Sequence, residues 1–451
     1  MERRRVWGMV AMATAVLGVN VPLAIAGQAV ASTPSQHAQE YRHYDGPQVT
    51  LQDLLQEAVN KNPDLIALRE QIAVARQRPA QERSLNPPMA EATIWQWPIN
   101  TLNPANTNMY MLMVGQDIPG RGKRDLRAAV AEKGIALAEN DVAIRARQIV
   151  NEIKQAYASL FIARKAIDVH LASVDLLRQI ADVSQAKYTT GRISQQDVLK
   201  PVVELSKLHK DIILFDEQAN IATARLNVLL DRPPETPIGP VVDPREETLM
   251  PATADLQRMA LDHQPELVRA RLEIERAEAE LASVKQEYKP DFTIQGGYLV
   301  MPNQTDALLA RVGITWPRAP WSRGKIDARV AEQSATVEAA KARRRAMENS
   351  LRLAVQEAFV RAKSAQNRAA LLRTTILPQS QHTLDVSRVG YQTDRVDFQA
   401  LIDNERVLLD SQLDYFRALS DFEQAMADLE RAVGTDLPAT TRVVAAASEV
   451  K

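Results

Sequence analysis

The sequence has no cysteine. No disulfide can staple it, no thiolate can serve as a nucleophile, and no cysteine can carry an N-terminal lipid. Aromatic residues are only 5% of the chain, while Ala, Leu, Glu, Gln and Arg abound. That balance favours long helices over a large globular α/β core. Neither sign of charge dominates, with 55 basic against 56 acidic residues, so there is no electrostatic case for nucleic acid. The histidines (His37, His43, His170, His209, His263 and His382) form no H-x-x-H or H-E-x-x-H pair, and no G-x-S-x-G element occurs. His170 falls within a helical seam and is expected to be a packing residue. No enzyme, cofactor site or metal site is expected.

Long apolar runs are also missing, except at the start. "MERRR" precedes "VWGMVAMATAVLGVNVPLAIA", followed by the small-x-small sites Ala24-Ile25-Ala26 and Ala29-Val30-Ala31. Residues 1–31 read as a secretory signal peptide, the alternative being an uncleaved anchor that Pro22 disfavours. The remainder offers no transmembrane helix of the ~20-residue kind, although strands could still cross a membrane.

One stretch, "QDIPGRGKRD" (Gln116 to Asp125), imitates a phosphate-binding loop. Such a loop needs a glycine five positions before its last glycine and Ser or Thr after the lysine. Here those positions hold Asp117 and Arg124. A relative, "ITWPRAPWSRGKID" (Ile314 to Asp327), fails equally, with Ala319 and Ile326. Both are expected to be strand-to-helix junctions, built from Pro119, Gly120 and Gly122 in one case and Pro317 and Gly324 in the other. Replacing Lys123 by alanine is expected to leave export largely intact.

The two stretches belong to a duplication. Pro63 pairs with Pro265, Leu65 with Leu267, Pro88 with Pro290 and Gly122 with Gly324, all at one offset (265 − 63 = 202). Tyr188 with Tyr391 and Leu226 with Leu429 follow one residue further apart. The expected order is a loose segment 32–48, a first repeat 49–230, a linker 231–252 with six prolines, a second repeat 253–434 and a tail 435–451. Each repeat opens with a helical segment (Leu51 to Ser84; Thr253 to Glu287). Two strands follow, near 89–118 and 291–317, then long helical hairpins over 123–230 and 325–434.

The strands alternate. Phe292, Ile294, Gly296, Tyr298 and Val300 oppose Thr293, Gln295 and Gly297, and Leu308, Ala310, Val312 and Ile314 oppose Leu309, Arg311 and Gly313. Their lengths suit tilted membrane strands, with Trp316 where an interfacial residue would sit. In the first repeat the face of Trp95 and Trp97 is open. Met109, Met111 and Met113 fall on the polar side, either as flexible apolar packing or as contacts for soft metal ions. Four strands cannot close a barrel, so copies of the chain must pool strands.

After Lys123 no proline intervenes until Pro201. A helix of about 65 residues would span roughly 98 Å. Its middle keeps a heptad seam of Ile153, Leu160, Ile167, Val174 and Ala181, with Ala156, Ala163, His170, Leu177 and Ser184 three residues on. Pro378 is expected to kink the second rod. The rods end in "YTTGRISQQDVLKPVVEL" (Tyr188 to Leu205) and "YQTDRVDFQALIDNERVLL" (Tyr391 to Leu409).

The spacing Tyr188-x-x-Gly-x-x-Ser-x-x-Asp-Val-Leu resembles the hairpin tip of TolC-like outer-membrane efflux channels, and "ILPQSQHTLDVSRVGYQTDRVD" is similar to their second repeat. The resemblance covers about Val49 to Gly434. It implies a mainly α chain with a membrane β-barrel: a homotrimer with a twelve-stranded barrel in outer-membrane lipid above a long periplasmic α-helical barrel. It implies a passive conduit serving an inner-membrane pump, of the RND type, through a periplasmic adaptor. The tip positions carried over are Gly191, Arg192, Ser194, Asp197 and Leu199, with Asp394, Arg395 and Asp397 in the second copy. That copy departs, since Asp394 replaces the glycine, Asp397 the Ser/Thr and Ala400 the acid. Asp403 matches a position in the aspartate rings that narrow the periplasmic end. Asp231 replaces the glycine that Gly434 supplies. The junctions look similar to those of channels paired with heavy-metal cation pumps. The alternative is a periplasmic coiled-coil adaptor or envelope scaffold without a pore, for which two hairpins and four membrane-like strands are the wrong inventory.

Overall fold

A computed structural model describes residues 47–100, 103–244, 252–302 and 304–437. The expected signal peptide, most of the loose segment, residues 245–251 of the linker and the tail beyond 437 lie outside them. Each repeat begins with two helices, not one. In the first, α1 (Leu51–Lys61) and α2 (Pro63–Arg83) meet at Asn62; in the second, α5 (Thr253–His263) and α6 (Pro265–Gln286) meet at Gln264. The proline explains the break, because it cannot donate within a helix but suits a first helical position. Between them run β1 (Met89–Trp95), β2 (Met109–Ile118), α3 (Lys123–Thr189) and α4 (Gln195–Leu229). The second copy supplies β3 (Phe292–Val300), β4 (Ala307–Ile314), α7 (Arg323–Leu371), α8 (Leu377–Gln392) and α9 (Phe398–Val433).

The helices pack side by side. Near the sheet the order is α2, α3, α6, α7; towards the tips it is α4, α3, α9 and then α7 with α8. At 67 residues, α3 is about 100 Å long and runs through both halves. The heptad seam is its buried line except at Ala181, which is half-buried: Ile153, Leu160, Ile167, Val174, Ala156, Ala163, His170, Leu177 and Ser184 are all buried. The small residues let α3 contact a neighbour on each flank.

Pro378 disturbs its helix one turn early. A π-helical turn, Leu372–Ile376, separates α7 from α8, and Pro378 sits in the first turn of α8. The ring of a proline obstructs the carbonyl four residues before it, here that of Thr374, and the widened turn accommodates this. The described part of the linker is irregular, as its prolines require, but it is held against α3. Arg164 donates to the carbonyls of Ile238 and Gly239 at 2.7 Å each, and the Val242 N–H donates to the Tyr157 hydroxyl at 2.8 Å.

The duplication extends to individual bonds. Buried Asn62 donates its amide to the Leu229 carbonyl at 2.9 Å, and buried Gln264 donates to those of Arg431 and Ala432 at 2.8 and 3.2 Å. Each ties the break between its opening helices to the end of its repeat. The chain then turns through a left-handed residue, Asp231 (φ 57°) or Gly434 (φ 81°). Only the second needs glycine for space, since a Cβ there would lie 2.8 Å from Gln264 Cα and 2.9 Å from the His263 carbonyl. Gly434→Ala is expected to cost about 1–2 kcal/mol in backbone strain alone and more from the clash. Asp231→Gly should be neutral or slightly stabilising. Thermal melts of the two variants in detergent check this contrast.

Candidate functional site

The four strands form one antiparallel sheet in the order β1-β2-β3-β4, with β1 and β4 as open edges. Its register decides which residues share a face. Ala90, Ala92 and Ile94 lie opposite Val114, Leu112 and Tyr110; those continue to Gly296, Tyr298 and Val300, and thence to Ala310 and Leu308. Ile294, Val312, Phe292, Ile314 and Ile118 extend this apolar face, on which Gln116 is a polar exception. Leu308 is 84% exposed and Val312 75%. The other face carries Glu91, Thr93, Asp117, Thr293, Gln295 and Arg311, together with Leu299, Leu309, Met109, Met111 and Met113. Among the described residues no helix packs broadly on either face. Trp95 is assigned to the polar face by its pairing with Met109. Trp97 does not continue the alternation, because Gln96 turns at φ 58°. Trp316 and Trp321 are exposed beyond β4, edge to face at 6.1 Å.

The first strand-to-helix junction joins the two repeats. Gly122 caps α3 at φ 85°. At Gly120 a Cβ would collide with the Pro290 carbonyl oxygen, which leaves room for hydrogen alone. Lys123, expected to be dispensable, is buried and donates to Asp291 Oδ1 at 2.7 Å; the same oxygen accepts the Gly120 N–H at 2.6 Å. Burial alone would raise the Asp291 pKa, but the bonds from Lys123 and Gly120 outweigh it and hold the carboxyl below its usual range. The second junction is different. Gly324 lies in the first turn of α7 with open space around its Cα and no positive φ, so nothing there requires glycine. The turn before it is made by residues 317–322, with Ser322 Oγ donating to the Pro317 carbonyl at 3.1 Å.

At the far end the two tips are tied together. Gly191 takes φ 73° with nothing near its missing side chain. Its counterpart Asp394 reaches φ 59°, a conformation that Asp tolerates better than most residues. Its carboxylate binds Lys187 at 2.6 Å and Arg192 at 3.5 Å, both from the first tip. The bond from Lys187 lowers the Asp394 pKa. Lys187 also donates to the Tyr391 carbonyl, and Ser184 Oγ meets the Tyr391 hydroxyl at 2.9 Å. The departure from glycine thus supplies a cross-link. Ser194 and Asp197 bond each other at 2.9 Å, Asp397 caps α9 through the Ala400 N–H at 2.8 Å, and Leu199 is exposed. The Arg395 N–H closes its turn on the Gly390 carbonyl at 2.8 Å. Asp403 is exposed, accepting from Gln399 at 3.0 Å with Arg406 at 3.6 Å.

Above the tips two groups were not foreseen as a site. Arg406 on α9 reaches Glu204 on α4 at 2.6 Å. Beside it Glu405 is buried at the α3–α9 contact, and its Oε1 has no hydrogen-bond partner. Burial pushes the Glu405 carboxyl up from its ordinary 4.5, against the opposing effects of Ser173 and Arg406. His170 packs on Phe215 at 5.0 Å, and burial lowers its pKa. The seam role expected for it holds.

An uncovered apolar sheet face above a long helical layer is not the plan of a soluble domain. No family model matches the chain. The MtrE outer membrane channel of Neisseria gonorrhoeae, in its open state, superposes with a TM-score of 0.70 over 87% of this chain and 90% of its own, at 16% identity. The chain has the fold of an outer-membrane channel. VceC, an outer membrane protein of Vibrio cholerae, shares that channel fold with a TM-score of 0.70, covering 85% of this chain and 96% of its own at 18% identity. By sequence, the cobalt-zinc-cadmium resistance protein CzcC of Cupriavidus metallidurans is 21% identical over 290 residues, which is 64% of this chain and 68% of CzcC.

Two predictions follow from the charged groups. Asp291→Ala strands a buried ammonium and should cost about 3 kcal/mol. Lys123→Ala leaves a carboxylate that water can reach and should cost about 1 kcal/mol. Denaturant melts of both variants would measure the asymmetry. Glu405 holds its proton more tightly folded than unfolded, so its contribution is complete below 4.5 and is lost as pH rises through the raised value. Glu405→Gln should therefore melt above the wild type at about pH 8 and lose that advantage on acidification towards the ordinary carboxyl range.

Proposed function

We propose that this chain is the outer-membrane subunit of a tripartite efflux system. It is a passive conduit, does no covalent chemistry, and lies in the outer membrane with a large periplasmic portion. The observation that carries this reading is the sheet: one face apolar but for Gln116 and two tyrosine hydroxyls, the other holding all the charged side chains of the strands, and two edges unpaired among the described residues. Such a sheet is stable in lipid only if its edges meet other edges. Three copies would give twelve strands, with the apolar face to outer-membrane lipid and the polar face to a lumen. The free flanks of the helical layer, α2 and α4 on one side and α7 with α8 on the other, would then meet around a periplasmic tunnel.

An adaptor would dock on the tips, at Gly191, Arg192, Ser194, Asp197, Leu199, Asp394, Arg395 and Asp397, and deliver substrate from an inner-membrane pump of the RND type. Because Asp394 is engaged by Lys187 and Arg192, the two tips would present different surfaces. Threefold symmetry would make Asp403 a ring of three carboxylates that attracts cations. Similarity to CzcC, which is named for cobalt, zinc and cadmium resistance, favours metal cations as cargo.

The protein should be recovered from outer membranes as a detergent-requiring trimer that conducts ions in planar bilayers. Asp403→Asn should reduce its preference for cations over anions. Recovery as a soluble periplasmic monomer without conductance would sink the proposal in favour of a scaffold.

A further inference from the structure

The polar face of the sheet holds a feature that a passive conduit does not require. Met109, Met111 and Met113 occupy alternate positions of β2 on that face. Met89 joins them from β1, opposite Gly115, and Met301 lies one step past the Tyr110–Val300 pair, beside Met109. The apolar face contains no methionine along the paired strands. If these residues only filled space they would need a layer to pack against, and no helix packs broadly there. Their cross-strand partners are Trp95, Thr93 and Glu91 on β1 and Leu299 and Gly297 on β3, a single row of side chains rather than a covering layer. Met113 lies across bare backbone, its Cγ 2.8 Å from where a Cβ of Gly297 would stand, so its thioether chain rests on the sheet surface. The fold does not demand methionine either. Aligning Val114-Gly115 with Val312-Gly313 shows that the second repeat fills the same positions with Ala307, Leu309 and Arg311.

Resting on the channel reading, which makes this face the lumen, we infer that Met109, Met111, Met113 and Met301 form a row of thioether sites for a soft monovalent cation of the Ag+ or Cu+ class. Alternate residues on a strand are about 7 Å apart and cross-strand neighbours about 5 Å. Flexible methionine side chains can therefore bring sulfurs from adjacent positions to one ion and pass it to the next. Thioethers are soft, neutral ligands that prefer Cu(I)-like ions to harder divalent ones. Among the described residues no cluster of His, Cys, Asp or Glu could hold a divalent metal. Several weak sites in file favour entry without trapping the ion.

The test uses the full chain in detergent, labelled with 13C at the methionine methyls and titrated with silver nitrate in chloride-free buffer. Ag+ should shift the methyl resonances of Met109, Met111, Met113 and Met301 and leave those of Met259, Met347 and Met426 in place. The variant M109L/M111L/M113L should bind Ag+ at least tenfold more weakly while keeping wild-type ion conductance. Zn2+ and Cd2+ should leave the four resonances unmoved. The inference is overturned if Ag+ shifts none of the four, if it shifts Met259, Met347 and Met426 equally, if Zn2+ or Cd2+ acts like Ag+, or if the variant binds Ag+ as the wild type does. A wild-type protein that shows the silver shifts yet conducts no ions would uphold the methionine site and overturn the channel reading.

Discussion

The unpaired edges of a four-stranded sheet are the constraint on which the rest of this structure depends. β1 and β4 each present a row of backbone donors and acceptors with no strand partner among the described residues. In water such edges invite aggregation, and in lipid each unpaired group costs several kcal/mol. The apolar face, from Ile94 through Leu112 and Tyr298 to Leu308, is the face that the proposed reading turns to lipid. Closure with other copies is the physical way out. Because the helices continue directly from the strands, closing the sheet also closes the helical layer.

The junctions transmit that closure. Lys123, Asp291 and Gly120 bind the end of β2 to the start of β3, so the two repeats are locked where sheet becomes helix. Among the described residues no equivalent bond is made at the second junction, where the repeat-related partner of Asp291 is Met89 (291 − 202). The two halves of the protomer are therefore fixed to each other more firmly there than their symmetry requires. At the other end Asp394 performs a comparable service for the tips, holding Lys187 and Arg192 of the first hairpin. The long α3, buried along one heptad line, couples the two ends mechanically.

Much of this was legible in the sequence, for identifiable reasons. The seam from Ile153 to Val174 is a local pattern at helical spacing, and strand alternation over Phe292–Val300 is equally local. The duplication could be read because prolines and glycines mark the same breaks twice. What escaped was long-range or conformational. Lys123 looked like a failed nucleotide lysine because its partner lies 168 residues away. The face of Trp95 needed the pairing with Met109, and Gln96 at positive φ broke the alternation that would have carried Trp97 with it. Gly324 looked equivalent to Gly122 by alignment, yet only Gly122 adopts a left-handed backbone. Glu405 resembled any helical glutamate until packing against α3 buried it.

The central claim is that edge β1 of one copy pairs with edge β4 of the next until the ring is closed. The absence of native cysteine makes a direct measurement clean. Ala92→Cys on β1 would be combined in turn with Leu308→Cys, Ala310→Cys and Val312→Cys on β4, oxidised in outer membranes, and resolved under denaturing, non-reducing conditions. The account predicts that one combination yields covalent species that stop at three chains. Monomers in every combination, or a ladder extending beyond three, would contradict it.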